Sequence, residues 1–284
     1  MSLSVIGSRM SLTSIAVYVG FDDGADDRVA AAAEISTRFN ALLIGVGGWP
    51  VRKYGSPALP VEGIFSFKEG ETIEEVSKQL ALLEQKFRQA AEKLTARIEW
   101  RGSYHFPREV VVQEARAADL VVISPETLPG DVYRTYDPGL IIVSAGRPVL
   151  VIPHGVSRID AQRILVAWKD TREARRAVSD ALPMLKRAKN VAIAIAHPER
   201  TEGVDLQVAD LINYLLRHGV TVTEQIATVA DEGAGDILLE LAREYAADLI
   251  ICGAYGRTRL SEWIFGGVTR HLLTTSAVPC LFSN

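Results

Sequence analysis

Ala247-Asp-Leu-Ile-Ile-Cys252 runs directly into Gly253-Ala-Tyr-Gly256. The chain writes nearly the same stretch 129 residues earlier, as Ala118-Asp-Leu-Val-Val-Ile123. Each is a short continuous apolar run rather than an alternating one. That pattern is expected of a parallel strand covered by helices on both faces.

Outward from this pair the flanks repeat too. Ile15 and Ile164 open corresponding strands and lie 149 residues apart. In the first half, strands are expected at 14–19, 41–46, 97–100, 119–124 and 148–153. In the second they are expected at 163–168, 191–196, 220–223, 248–252 and 278–282. Helical periodicity fills the gaps at 26–39, 71–96, 172–187, 205–217 and 268–276, with Gly219 as a helix-ending glycine. This order implies an α/β fold of two similar doubly wound domains, each a five-stranded parallel sheet flanked by helices. The two offsets differ by 20 residues, which places an insertion in the first copy near 47–70. The domains are expected at 10–155 and 156–284, joined through Pro153-His-Gly-Val-Ser157.

Composition narrows the function classes. Of 284 residues, 48% are hydrophobic and 23% charged, with a formal net charge of −4. That balance suits a globular chain and supplies no broad basic field for nucleic acid or anionic lipid. No apolar stretch is long enough to span a membrane, and residues 1–10 are too short and polar for a signal peptide, so a cytoplasmic protein is expected. Cys252 and Cys280 are too few for a disulfide framework and are expected as buried free thiols.

The chemistry-bearing motif follows the last copied strand. It reads glycine, two residues, glycine, nine residues, glycine, at Gly253, Gly256 and Gly266, with Gly267 next. Chance alone would supply roughly 0.1 such spacings in a chain of this composition. The first glycines follow a strand and the last precede a helix, so backbone N–H groups free of Cβ atoms can form an anion site. Thr269 can add a hydroxyl donor, and Arg257 and Arg270 can add charge. The alternative is that the glycines only close tight turns. The motif is neither a Walker A loop nor a dinucleotide fingerprint.

On these features the chain resembles the universal stress protein family in its tandem two-domain form. The resemblance implies an adenine nucleotide, ATP first, with magnesium as a candidate companion. It places Gly253, Gly256, Gly266, Gly267, Val268 and Thr269 around the phosphates, with Cys252 near sugar or base. The end of the first strand of the second half, at Ala167, Lys169 and Asp170, would face adenine and ribose. Two departures stand out. Gly267 replaces the family's usual hydroxyl residue, and Ala167-Trp-Lys169-Asp170-Thr171 replaces its usual aspartate, so that Asp170 is displaced or Lys169 stands in its place. The resemblance also implies an intramolecular pseudo-dimer through strands 149–152 and 280–282. A homodimer and an unidentified protein partner stay open.

The first half lacks the motif. Glu126, Asp131 and Asp137 would repel phosphate there, and Pro125 and Pro129 donate no N–H, so no nucleotide is expected at the equivalent place. The five histidines show no metal-ligand spacing, and His197, ending a strand, is the one nearest a ligand path. Ser124 and Ser261 lack a nucleophile elbow. Trp49, Phe65 and Phe67 either cover a cleft, meet another copy or pack on their own domain. The function expected is a stress-response or regulatory protein binding a nucleotide in its second half, without strong catalytic machinery. The rivals are an interaction module that binds no nucleotide and a slow ATPase using Asp170.

Overall fold

A computed structural model describes residues 11–53, 70–95, 97–125, 133–196, 201–228, 233–255 and 267–284. The first half runs β1 (Ser14–Tyr18), α1 (Ala25–Phe39), β2 (Leu42–Gly48), α2 (Ile73–Ala91), β3 (Ile98–Ser103), α3 (Pro107–Glu114), β4 (Leu120–Ile123), α4 (Pro138–Ser144) and β5 (Val149–Val151). The second repeats it as β6 (Arg163–Trp168), α5 (Arg172–Leu185), β7 (Asn190–Ala196), α6 (Glu202–Arg217), β8 (Glu224–Thr228), α7 (Ala234–Glu244), β9 (Leu249–Gly253), α8 (Gly267–Thr275) and β10 (Cys280–Ser283).

The strands lie in the order β3-β2-β1-β4-β5-β10-β9-β6-β7-β8, one sheet through both halves. Within each half all pairs are parallel. The halves join where β5 meets β10 antiparallel, with Cys280 opposite Val151, Leu281 opposite Leu150 and Phe282 opposite Val149. The sheet therefore passes uninterrupted through the junction rather than forming two separate sheets. Residues of α1, α2, α5 and α6 pack on one face, and those of α3, α4, α7 and α8 on the other. With both faces covered, the strands carry near-continuous apolar runs, as the sequence reading required.

The repeated Ala-Asp has a structural cause. Asp119 Oδ2 accepts hydrogen bonds from Thr13 N at 2.8 Å, Ser14 N at 3.0 Å and Thr13 Oγ1 at 2.6 Å. Asp248 does the same in the second copy, accepting from Gln162 N at 2.8 Å and Arg163 N at 3.0 Å. Each aspartate thus clamps the N–H groups where the first strand of its half begins, beside the fourth. Burial opposes the charge of Asp119, but these hydrogen bonds outweigh it and hold its carboxyl below the ordinary value.

Helix starts follow capping chemistry. Thr72 and Glu75 form a reciprocal capping box on α2, and Thr171 and Thr201 accept from the N–H groups of Ala174 and Val204 to cap α5 and α6. One expected strand is displaced. Residues 220–223 do not form it, and β8 begins at Glu224. Gly219 adopts φ 78° and Val220 N bonds back to Leu215 O, so the buried Val220 closes the end of α6. Its β-branched side chain looked like strand and serves as the helix-closing hydrophobe.

Candidate functional site

In each half, the first and fourth strands are neighbours and the strand order reverses between them. Ligands of open parallel sheets bind in the crevice beyond the carboxyl ends at such a place. The two crevices of this chain are built very differently.

In the second half the crevice lies beyond β6 and β9, where Ala167 is in register with Cys252. Lys169 and Asp170 follow β6 and are exposed. Thr171 N bonds to Lys169 O at 2.6 Å, a tight turn that delivers Thr171 as the cap of α5. Asp170 lies 3.4 Å from Arg175, so its carboxylate has a cation beside it. Cys252 is buried, and burial pushes its thiol up to about 12, which keeps it protonated. Cys280 is buried with its thiol likewise at about 12, so both cysteines are free buried thiols.

The two ends of the glycine motif differ physically. A Cβ at Gly253 would stand 2.4 Å from Ala174 N and 2.8 Å from Ala174 Cα. The first turn of α5 therefore presses on β9, and this glycine is required by packing. A Cβ at Gly267 would meet nothing within 4 Å among the described residues. Gly267, exposed, opens α8, whose first N–H groups have no intrahelical partners. Val268 is half-buried, and Thr269 is 4% exposed on the same helix face as Leu272 and Leu273. The Thr269 side chain thus faces the core, and backbone N–H groups are the donors this helix end presents. Gly256, Arg257 and Gly266 lie outside the described residues, as do His197, Phe65 and Phe67.

Three features here were not read from the sequence. Tyr255, between the first two motif glycines, takes φ 55°, left-handed for a residue with a Cβ. The terminal Asn284 donates from Nδ2 to Ala254 O at 2.9 Å and Tyr255 O at 3.1 Å, fastening the loop as it leaves β9. His271 Nε2 lies 3.0 Å from Asp236 Oδ1, tying α8 to the first turn of α7.

In the first half the crevice is filled. Arg28 of α1 is fully buried there. Its Nε donates to Tyr18 O at 2.8 Å, and Nη1 and Nη2 each donate to one oxygen of Asp22 at 2.9 Å. Nη1 also donates to Ser124 Oγ, beyond β4, so the guanidinium bridges the ends of both strands. Tyr136 closes the other side, its hydroxyl accepting from Ser124 N at 3.1 Å and its ring edge-on to Tyr18 at 5.0 Å. Burial opposes charge on both Arg28 and Asp22. Each nonetheless keeps its charge because the other is beside it: the Arg28 pKa is raised and that of Asp22 lowered.

The residues found in this crevice are not the acidic ones and prolines named from the sequence. Glu126, Pro129 and Asp131 lie outside the described residues, and Asp137 caps α4 by accepting from Gly139 N at 2.7 Å. Over the same edge, Arg134 stacks 3.6 Å from the Trp49 ring and bonds Glu71 Oε2 at 2.5 Å. Trp49 thus packs on its own half, and the stack ties together the segments that flank the insertion. The sequence signal for Arg28 was faint, a lone arginine in the alanine-rich run Asp26-Asp27-Arg28-Val-Ala-Ala-Ala-Ala33.

Among the described residues no cluster of His, Cys, Asp and Glu has the makings of a metal site, and no helix is long and apolar enough to cross a membrane. Residues 161–283 match the model of the universal stress protein family. The whole chain resembles the structure of a universal stress protein from Archaeoglobus fulgidus DSM 4304, over 95% of this chain and 96% of that one, with a TM-score of 0.72 and 15% identity. A functionally unknown protein from Pseudomonas aeruginosa PAO1 is similar over 96% of this chain and 93% of that one, with a TM-score of 0.59 and 16% identity. At such identities the likeness is one of fold. No curated protein matches the chain.

Proposed function

Because residues 161–283 belong to the universal stress protein family, we propose that the second half binds ATP or a related adenine nucleotide and that the protein acts as a nucleotide-responsive stress or regulatory factor. One observation carries the reading. The helix that the glycine motif leads into begins at an exposed glycine with open space where a side chain would stand. Unpaired N–H groups and the positive end of a helix favour an anion there, and the bare Gly267 lets a phosphate approach. Phosphate is held by backbone, and the buried Thr269 acts through its N–H. Lys169, exposed after β6, lies where a cation could accompany phosphate charge, and Ala167 and Cys252 floor the crevice. Magnesium, when present, arrives with the phosphates and keeps most of its own water, since the described residues of this site form no carboxylate cage.

The domains in this reading are 10–155, closed at its crevice by Arg28, and 156–284, which takes the ligand. The first serves as the permanent partner of the second across β5 and β10. Catalysis is not part of the reading, because Asp170 is beside Arg175 and faces solvent rather than a reacting centre. A second reading, an interaction module without nucleotide, is favoured by the packing requirement at Gly253, which explains one motif glycine with no ligand at all. Calorimetric titration of the purified protein with ATP decides between them. Saturable heat at one site per chain supports the nucleotide reading, and no heat at millimolar ATP removes it.

A further inference from the structure

His271 stands one turn into α8, and its ring lies against the start of α7. Its Nε2 is out of water and 3.0 Å from Asp236 Oδ1, the one polar partner that the described residues offer it. A Cβ at Gly235 would stand 2.7 Å from the imidazole Cδ2, so the ring rests on bare backbone in the first turn of α7. Both helix starts lie at the carboxyl end of the sheet, since α7 follows β8 and α8 follows β9. A helical side chain leans toward its own N-terminus, which carries the imidazole back toward Gly267. The positive ends of two helices oppose a cation there, and Asp236 is the anion that favours one. Other charges are engaged or turned away. Glu240, one turn along α7, pairs with Arg243 at 3.1 Å, and Arg270 of α8 is exposed. The strands beneath α8 offer the protonated thiols of Cys252 and Cys280, and burial keeps Tyr255, just beyond β9, neutral by raising its pKa. The positions equivalent to His271 and Asp236 in the first half, 129 residues earlier, are Ile142 and Pro107, both buried and neither titratable. There α4 fills its own start with the carboxylate of Asp137, which accepts from Gly139 N at 2.7 Å and Leu140 N at 3.3 Å. A titratable imidazole therefore stands behind the open helix start, and a plain hydrocarbon behind the occupied one.

We propose that nucleotide binding in the second half is coupled to protonation of His271, so that the site holds phosphate more tightly as pH falls from about 8 to about 6. The inference rests on the nucleotide reading above and adds to it the regulation of that site. Histidine is the side chain whose charge ordinarily changes in this range. Phosphate at the start of α8 places negative charge about one helical turn from the imidazole, roughly 5–8 Å. At that distance an imidazolium and a phosphate attract each other appreciably, and the neutral imidazole gains nothing. By reciprocity, filling the site takes up a proton.

His271→Gln keeps a polar side chain and removes the titration. Wild type and His271→Gln are titrated calorimetrically with ATP at about pH 8 and about pH 6. Circular dichroism and the melting temperature establish that the variant is folded at both. The terminal phosphate of ATP titrates alike in the two experiments, so the ratio of the two affinities isolates the imidazole. The expected result is that wild type gains on His271→Gln by about fivefold on going to the lower pH. A ratio that does not move with pH, which a merely packing histidine would give, overturns the proposal. Failure of the nucleotide reading looks different, because wild type then binds ATP at neither pH. If His271→Gln does not fold, His271→Phe is taken through the same titrations under the same criteria. One further measurement needs no variant. Titration of wild type near neutral pH in two buffers of different ionisation enthalpy counts the protons exchanged on binding. Phosphate held by N–H groups sheds protons, so net uptake assigns them to the protein as proposed, and release or no exchange overturns the coupling.

Discussion

Arg28 donates two hydrogen bonds of 2.9 Å to the two carboxylate oxygens of Asp22, with the guanidinium wholly out of water. The pair sits beyond β1, where the second copy of the fold keeps its crevice. The same topology thus yields one crevice filled by the chain's own cation and one fronted by a bare helix end. Removing Arg28 strands a largely buried carboxylate and leaves Ser124 without its donor. Arg28→Met is expected to cost about 3–5 kcal/mol in urea denaturation, and adding Asp22→Asn is expected to restore part of it. A loss below about 1 kcal/mol would contradict the account.

Asp22 and Asp119 carry the pH dependence with a definite sign. Both carboxyls are held below the ordinary aspartate value of 3.8 in the folded protein, despite burial, by the hydrogen bonds and charges around them. Their stabilisation is complete above the unfolded value and is lost as pH falls below 3.8 toward the folded values. Melting temperature should therefore drop steeply on acidification below about pH 4. Asp119→Asn should flatten that slope and lower stability at neutral pH by about 1–2 kcal/mol, since the charged clamp on Thr13 and Ser14 is lost. An unchanged slope would show that the clamp contributes nothing to it.

The motif glycines should respond in opposite ways to the same small change. Gly253→Ala forces a Cβ onto the backbone of α5 and should cost about 1–3 kcal/mol. Gly267→Ala adds a methyl in open space and should leave stability within about 0.5 kcal/mol. Thermal denaturation of the two variants side by side checks this, and equal losses would refute the close approach of α5 to β9.

The cysteines supply an independent check on the core. With Cys252 and Cys280 buried and their thiols at about 12, neither should react with a thiol reagent in the native protein at neutral pH. Both should react once the protein is unfolded in guanidinium. Rapid native labelling of either would place it at the surface.

Much of the architecture was legible because it is written locally and written twice. The apolar runs and the two Ala-Asp-Leu stretches can each be recognised within a few residues, although the clamp that each aspartate makes reaches far along the chain. The site was legible only in outline. Arg28 meets Ser124 across 96 residues, and no periodicity announces that a charged side chain will be drawn into a crevice. Gly253 reads as a ligand glycine until Ala174 is seen to press upon it. Thr269 reads as a hydroxyl donor until the phase of α8 turns it toward Leu272 and Leu273. Val220 reads as strand because β-branching is shared by strands and by the hydrophobes that close helices.

The central claim is that backbone N–H groups at the start of α8 hold the phosphates of a nucleotide, in the space that Gly267 leaves open. Calorimetric titration of Gly267→Val with ATP, beside wild type and at equal melting temperature, tests it most directly. The account predicts saturable binding by wild type and a loss of at least about tenfold in the variant, since a branched side chain would stand where phosphate must approach. Equal affinity in the two proteins, or no binding by wild type, would contradict it.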